Sequence, residues 1–308
     1  MNGTASTSTA ELRQHYNAAT RAFLVRDYPA TASSLHDALA LVSDVPQRAW
    51  FDSVQAGSPV PLEVTLKRRL DVLQVTFLAT VRASPGALAP SPALQPLLDL
   101  PPADLVKSLW SNLVARPRPA GTSAPAPALA LAAPSPASDD ILPTPAAAHL
   151  HPSLAVALVL AALKLDEPRL ARQVAEAWLG SVDEEVEALI DETARAVDWD
   201  EAGELALDAV GTGAGAGAAS MSGSGLLNGG GGAAARQDPR RQLVGAWLKL
   251  VDLLVLHVLP QLGEWDAAGD FVRMQGVENG GWVPDARVEV RRARSVSLSR
   301  SRARRTRD

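Results

Sequence analysis

An all-α fold is what this chain predicts, and three observations carry the prediction. Only 4% of its residues are aromatic although 47% are hydrophobic, so a core has to be built of Leu, Val and Ala. Leu and Ala lose little rotamer freedom in a helix, whereas sheets favour β-branched and aromatic side chains. Apolar residues recur at mixed three- and four-residue spacings, the period of a helix face. Prolines and glycines gather in two blocks, 116–145 and 211–235, rather than inside the periodic stretches. Length alone, 308 residues, would admit two domains.

Taken in order, Leu12, Tyr16, Ala19 and Phe23 mark one face of a helix over 10–26, broken by Tyr28-Pro29. Leu35, Leu39 and Val42 mark a second helix, and so short a connection makes the pair an antiparallel hairpin. Leu62, Leu66, Leu70, Leu73, Phe77 and Val81 predict a third over 61–81, with Lys67, Arg68 and Arg69 on its polar side. Pro101-Pro102 supplies the start of a fourth that carries Leu105, Leu109 and Leu113, with Trp110 beside the stripe. Eight prolines among alanines and serines over 116–145 deny the backbone its hydrogen bonds and predict a linker.

Helices resume over 152–165, 167–179, 182–197 and 200–210, and the glycine-rich 211–235 predicts a second linker. Beyond it, Leu243, Trp247, Leu250, Leu254 and Val258 line one helix face, and Val244, Leu248, Val251 and Val255 make the next face apolar too. A helix apolar over that much of its circumference is buried between others. Pro260 and Gly263 read as its end, and 265–274 as a last short helix. The expected organisation is therefore a disordered 1–9, helical hairpins over 10–115, a Pro/Ala linker 116–145, middle helices 146–210, a Gly-rich linker 211–236, a C-terminal hairpin 237–275 and a disordered Arg/Ser tail 276–308.

A weak internal echo crosses these units: an acid precedes an aromatic at Asp27-Tyr28, Asp198-Trp199 and Glu264-Trp265. The series Tyr28, Leu35, Ala38, then Trp199, Ala202, Ala206, then Trp265, Ala268, Val272 has the second-helix spacing of a tetratricopeptide-like hairpin.

Net charge is only −5, so the whole chain has no nucleic-acid signature. Nine arginines nevertheless fall between Arg287 and Arg307 and leave the remainder acidic. That tail is suited to nucleic acid or anionic lipid but lacks aromatic residues for base stacking, and Arg292-x-x-Ser295 suits a basophilic kinase. Absence of Cys excludes disulfides, thiolate metal sites and cysteine nucleophiles. The first ten residues lack the basic and apolar regions of a secretory signal, so a cytosolic chain is expected. The longest clean apolar run, 154–163, falls short of the roughly 18 residues a bilayer crossing needs, and Lys249, Asp252 and His257 interrupt 243–259, so no membrane span is expected.

No chemical active site is expected. Gly213-x-Gly215-x-x-Ala218 imitates a dinucleotide fingerprint but lacks the strand that must feed it, and the chain has no G-K-[ST] phosphate loop. His149 and His151 flank Leu150 with no third ligand nearby, so they read as solvated or as a helix cap rather than a metal site. His257, inside the apolar helix, reads as a core histidine bonded to a backbone carbonyl. Asp183, Glu184, Glu185, Glu187, Asp191 and Glu192 crowd a helix start, where the dipole favours negative charge, and read as capping. Catalytic, cofactor-binding and metal-binding residues are thus none, partner-contact residues cannot be named, and no small-molecule substrate is expected.

Three segments together resemble fungal peroxin-26-type proteins. HYNAATRAFLVRDYPATASSLHDAL at 15–39 looks like their opening helical hairpin, and 67–81 is similar to their next helix. LVDLLVLHVLPQLGEWDAAGDFVRM at 250–274 carries the strongest likeness, through Leu256-His257-Val258-Leu259-Pro260 and the Glu264-Trp265-Asp266 turn. The resemblance implies a non-catalytic adaptor at the cytosolic face of the peroxisomal membrane. It would dock the peroxin-1 and peroxin-6 AAA ATPases that recycle the receptor for matrix protein import. Leu256, His257, Pro260 and Trp265 are then structural: a helix end, a proline stop and an aromatic wedge packed into the final hairpin. The family ends in a membrane anchor, which this chain is not expected to contain. A generic helical-repeat scaffold and a nucleic-acid-associated protein acting through its tail are the alternative readings.

Overall fold

The computed structural model describes residues 3–84, 94–114, 141–196 and 238–278, and the side chains of 9–84, 94–114, 141–195 and 238–273. The protein is all-α: every regular element among the described residues is helical. The order is α1 (Gly3–Leu24), α2 (Tyr28–Leu41), α3 (Ala49–Gln55), α4 (Leu62–Ala83), α5 (Gln95–Leu98) and α6 (Pro102–Val114). A 3-10 turn (Ala147–His149) then leads into α7 (Pro152–Lys164), α8 (Pro168–Leu179) and α9 (Glu184–Ala196). The last unit is α10 (Pro239–Leu253), a π turn (Leu254–Val258), α11 (Leu259–Leu262) and α12 (Trp265–Glu278). The expected helix over 200–210, the echo at Asp198-Trp199, the Gly213 fingerprint, the second linker and the Arg/Ser tail beyond 278 lie outside the described residues.

Helix α7 is the hub, packed on α4, α6, α8 and α10. Its sequence explains the position: Leu154, Ala155, Leu158, Val159 and Ala162 are buried on several sides, and the small residues let neighbours approach closely. Helix α10 is buried in the same way, with Leu243, Val244, Leu250 and Val251 all inaccessible, as is Val255 in the π turn that continues it. Continued through α11, it is the one described helix long and apolar enough to cross a bilayer, and 72% of its most apolar window is buried inside the fold. Between α7, α9, α8 and α12 it serves as a core helix.

Three hairpins share one turn. Helix α1 ends with Arg26 at φ +62°, the Asp27 N–H reaching back to Ala22 C=O (2.9 Å), and the Asp27 carboxylate capping α2 at the Ala30 N–H (3.1 Å). Helix α7 ends with Asp166 at φ +62° and Glu167 N–H on Ala162 C=O (2.9 Å). Helix α11 ends with Gly263 at φ +82° and Glu264 N–H on Leu259 C=O (2.9 Å). Each is a left-handed C-cap closed by a six-residue hydrogen bond, followed at once by an acidic residue that opens the next helix. Four residues after each acid stands a fully buried small residue, Thr31, Ala171 or Ala268, where the two helices cross. The echo seen in the sequence is therefore real at 27 and 264, and Glu167-Pro168, which lacks the aromatic, is a further member that the acid-aromatic pattern missed.

Several expectations are corrected. Helix α1 begins at Gly3, not Ala10, because no Pro interrupts the Ser/Thr-rich start and each added residue of a formed helix gains a hydrogen bond. Helix α3 was not foreseen: at seven residues it is too short to show a period, yet Trp50, Phe51 and Val54 all enter the core. The first linker ends before Ile141, which is buried, and Thr144 N–H donates to Ser181 Oγ (2.9 Å), so 141–145 belong to the folded body. Pro260 does not stop its helix. Lacking an N–H, it deprives Leu256 C=O of its usual donor, and the wide turn before it brings Leu259 N–H to Leu254 C=O instead, so that the chain runs on to Gly263.

Candidate functional site

The residues named by the family likeness come together around this π turn, but not as expected. Leu256 and Pro260 are buried, whereas His257 is exposed and not a core histidine. In an unbroken α-helix His257 would share the face of Leu243 and Leu250; the extra residue in the wide turn rotates it into solvent. Trp265 is only partly buried at the start of α12, so it is not the wedge of the final hairpin. That part falls to Ala268, Val272 and Phe271. The turn is fixed instead by Arg172 of α8, whose Nη1 grips both Glu264 oxygens (2.6 and 2.5 Å) while its Nε bonds Glu176 (2.7 Å). The fully buried tryptophan is Trp178, whose Nε1–H donates to Leu150 C=O at 2.8 Å.

Two polar sites meet on α4, and both use residues read from the sequence as its polar side. At the first, Asp71 is buried and accepts Lys67 Nζ at both oxygens (3.0 and 2.9 Å) and Gln47 Nε2 at Oδ2 (3.0 Å). This neutral trio borders a cleft of about 180 Å³ between α2, α4 and α6. Its floor is Leu39, Val75, Leu109 and Leu113, and its rim adds Ser43, Gln74 and Asn112.

At the second, Arg68 sits under Trp50, its guanidinium carbon 5.9 Å from the ring centroid, with Nη2 on Gln242 Oε1 (2.7 Å) and Nη1 against His151 Nε2 (2.8 Å). Trp50 and His151 pack edge to face with centroids 4.4 Å apart. No carboxylate among the described residues lies within ion-pair reach of Arg68, so burial, and next the charge of Arg69, lowers its pKa to about 10. His151 stands at the N-cap of α7 as read, its Nδ1 3.1 Å from Ser153 N, but it is buried rather than solvated. Both ring nitrogens face donors, and the ring's single proton has one acceptor in reach, Ser153 Oγ at 2.8 Å from Nδ1. Burial first and Arg68 second hold its pKa well below 6.5, so the ring is neutral. His149 remains at the surface against Arg48 (3.2 Å), and no three His, Asp or Glu side chains gather for a metal among the described residues.

The acidic run caps α9 at one residue and forms ion pairs at others. Asp183 accepts Val186 N–H (2.9 Å) at the start of α9, Glu185 meets Arg48 (3.5 Å), and Glu192 meets Arg240 (3.3 Å). What sequence reasoning missed is the pairing of 68 with 151 and 242, since none of the three sits in a motif. Compared with family models, curated proteins and solved structures, the chain finds no match in any of the three.

Proposed function

We propose that this protein is a non-catalytic adaptor of peroxisomal matrix protein import that docks the peroxin-1/peroxin-6 AAA ATPases at the cytosolic face of the peroxisomal membrane. The observation that carries the reading is the segment 250–274, whose LHVLP core and EWD turn form one unit: a π turn forced by Pro260, then a left-handed cap held by Arg172. Support also comes from the other two segments of the likeness, which fall within the α1–α2 hairpin and within α4 of an all-helical body. Such a body offers rigid exposed helix faces for a protein partner.

Titration calorimetry of the full chain against the assembled peroxin-1/peroxin-6 complex, with and without nucleotide, tests it. Saturable binding at micromolar strength or tighter is expected. A folded chain that shows no heat of binding in either condition overturns the reading.

A further inference from the structure

His149 and His151 flank the start of α7, and each turns its Nε2 to an arginine: His149 to Arg48 Nη1 at 3.2 Å, His151 to Arg68 Nη1 at 2.8 Å. A guanidinium offers no lone pair, so either contact is a hydrogen bond only while the imidazole nitrogen is bare. A proton on that nitrogen sets donor against donor and cation against cation. The two pairs differ in what surrounds them. Arg48 also holds Asp52 (2.9 Å) and Glu185 (3.5 Å), and Asp183 acts on it from beyond them, so a second cation there meets carboxylates. Around the His151 ring, α3 presents Trp50, α7 its own Ser153, and α4 presents Arg68, the one charged group that acts on the ring among the described residues. Beyond Arg68, α10 adds the uncharged Gln242, and Arg69 adds positive charge.

Both pairs hold down α3. This seven-residue helix lies between two non-helical connections, 42–48 and 56–61, and its main helix contact is α4. Trp50 fastens it, edge-on to His151 at 4.4 Å and 5.9 Å from the Arg68 guanidinium. His151 is fixed at the N-cap of α7, whereas Arg68 reaches in from α4 on a long side chain, so Arg68 is the group that can move. We propose that His151 and Arg68 form an acid-released clasp: a proton taken up by His151 expels Arg68 from beneath Trp50, breaks its bond to Gln242 and lets α3 lift from the start of α7, while the α7–α8 hairpin stays folded. His149 plays no part in the release, because its partner Arg48 is surrounded by carboxylates. The clasp goes beyond the adaptor reading and does not depend on it.

Burial, and next Arg68, hold the ring's pKa well below 6.5 while the clasp is closed, and an opened ring regains the ordinary value. The open form therefore gains as the pH falls below 6.5, by up to about thirtyfold at pH 5. Hydrogen exchange of the full chain between pH 7.5 and 5, read by mass spectrometry and corrected for the intrinsic pH dependence of exchange, tests the clasp. Protection over 49–55 is expected to fall by about ten- to thirtyfold relative to that over α8, in wild type and in His149→Asn alike. In His151→Asn the fall is expected to disappear. Protection over 49–55 that holds at pH 5 overturns the proposal, because no proton then opens the site. A fall no larger than that over α8 does so too, because the whole body then yields together, as does an undiminished fall in His151→Asn. The ring nitrogen NMR signals of His151 in wild type give a reading that needs no variant to fold. They are expected to titrate with the same midpoint as the loss of protection, and opening at a pH where the ring is still neutral overturns the clasp.

Discussion

Lys67 and Arg68 are neighbours on one helix and carry the same charge, yet the fold treats them in opposite ways. Lys67 meets a buried carboxylate and is neutralised. Arg68 meets a neutral histidine, an amide and an indole, and keeps its charge. The difference teaches that a buried cation can be held either by opposite charge, which fixes two residues of the same helix, or by oriented acceptors, which here join α4 to the start of α7 and of α10. The first arrangement is local. The second ties together parts of the chain that share no hairpin.

Removing one partner should separate the two designs most sharply. Asp71→Ala strands Lys67 in a partly buried site and should cost about 3–5 kcal/mol, whereas Lys67→Met with Asp71→Leu should be close to neutral, since an apolar pair of similar volume avoids the desolvation of both ions. Urea unfolding of the three chains measures both; equal losses in the single and double variants would break the contrast. Arg68→Met should cost less, about 1–3 kcal/mol, because it removes the donor that faces His151 Nε2 and the bond to Gln242 Oε1 but also removes a charge held against its solvation. The same unfolding curves decide it, and a loss as large as that of Asp71→Ala would show that Arg68 is the stronger tie.

The pH response sharpens the comparison further. Unfolded His151 titrates near 6.5 and the folded ring well below it, so between those values the unfolded state binds the extra proton. Stability is full above pH 6.5 and falls as the pH is lowered through that window, by up to about 1.4 kcal/mol per pH unit. Melting curves from pH 7.5 to 5 should show the decline in wild type and a shallower one in His151→Asn. Equal slopes would mean that another group governs acid lability. The smallest effect belongs to the surface: Arg48→Ala breaks contacts with exposed Asp52 and Glu185 and half-buried His149, and should change stability by less than about 0.5 kcal/mol.

Much of the fold was legible because burial imposes a period. The stripes 12-16-19-23, 35-39-42 and 243-247-250-254-258 all face the core or its edge, and the prolines at 29, 102, 152, 168 and 239 stand at helix starts. The failures have physical causes. A seven-residue helix shows no period, which hid α3. One added residue in the wide turn brought His257 out of the core. Partners distant in sequence decide whether a basic residue is solvated, and no local pattern at Lys67 or Arg68 could reveal Asp71's burial or His151's approach. Of the residues suggested by family likeness, Leu256 and Pro260 are in the interior and His257 and Trp265 at its edge or outside, so that motif marks a wide turn and a helix end.

The Arg68–Gln242 bond spans 174 residues, while the Lys67–Asp71 pair spans 4. At synthesis rates of about 5–20 residues per second, roughly 10–35 s separate the emergence of Arg68 from that of Gln242. Throughout that interval α4 has its local ion pair but neither the hub helix for part of the time nor α10 at all. A growing chain thus exposes the face of α4 that α7 will cover well before that cover has been made.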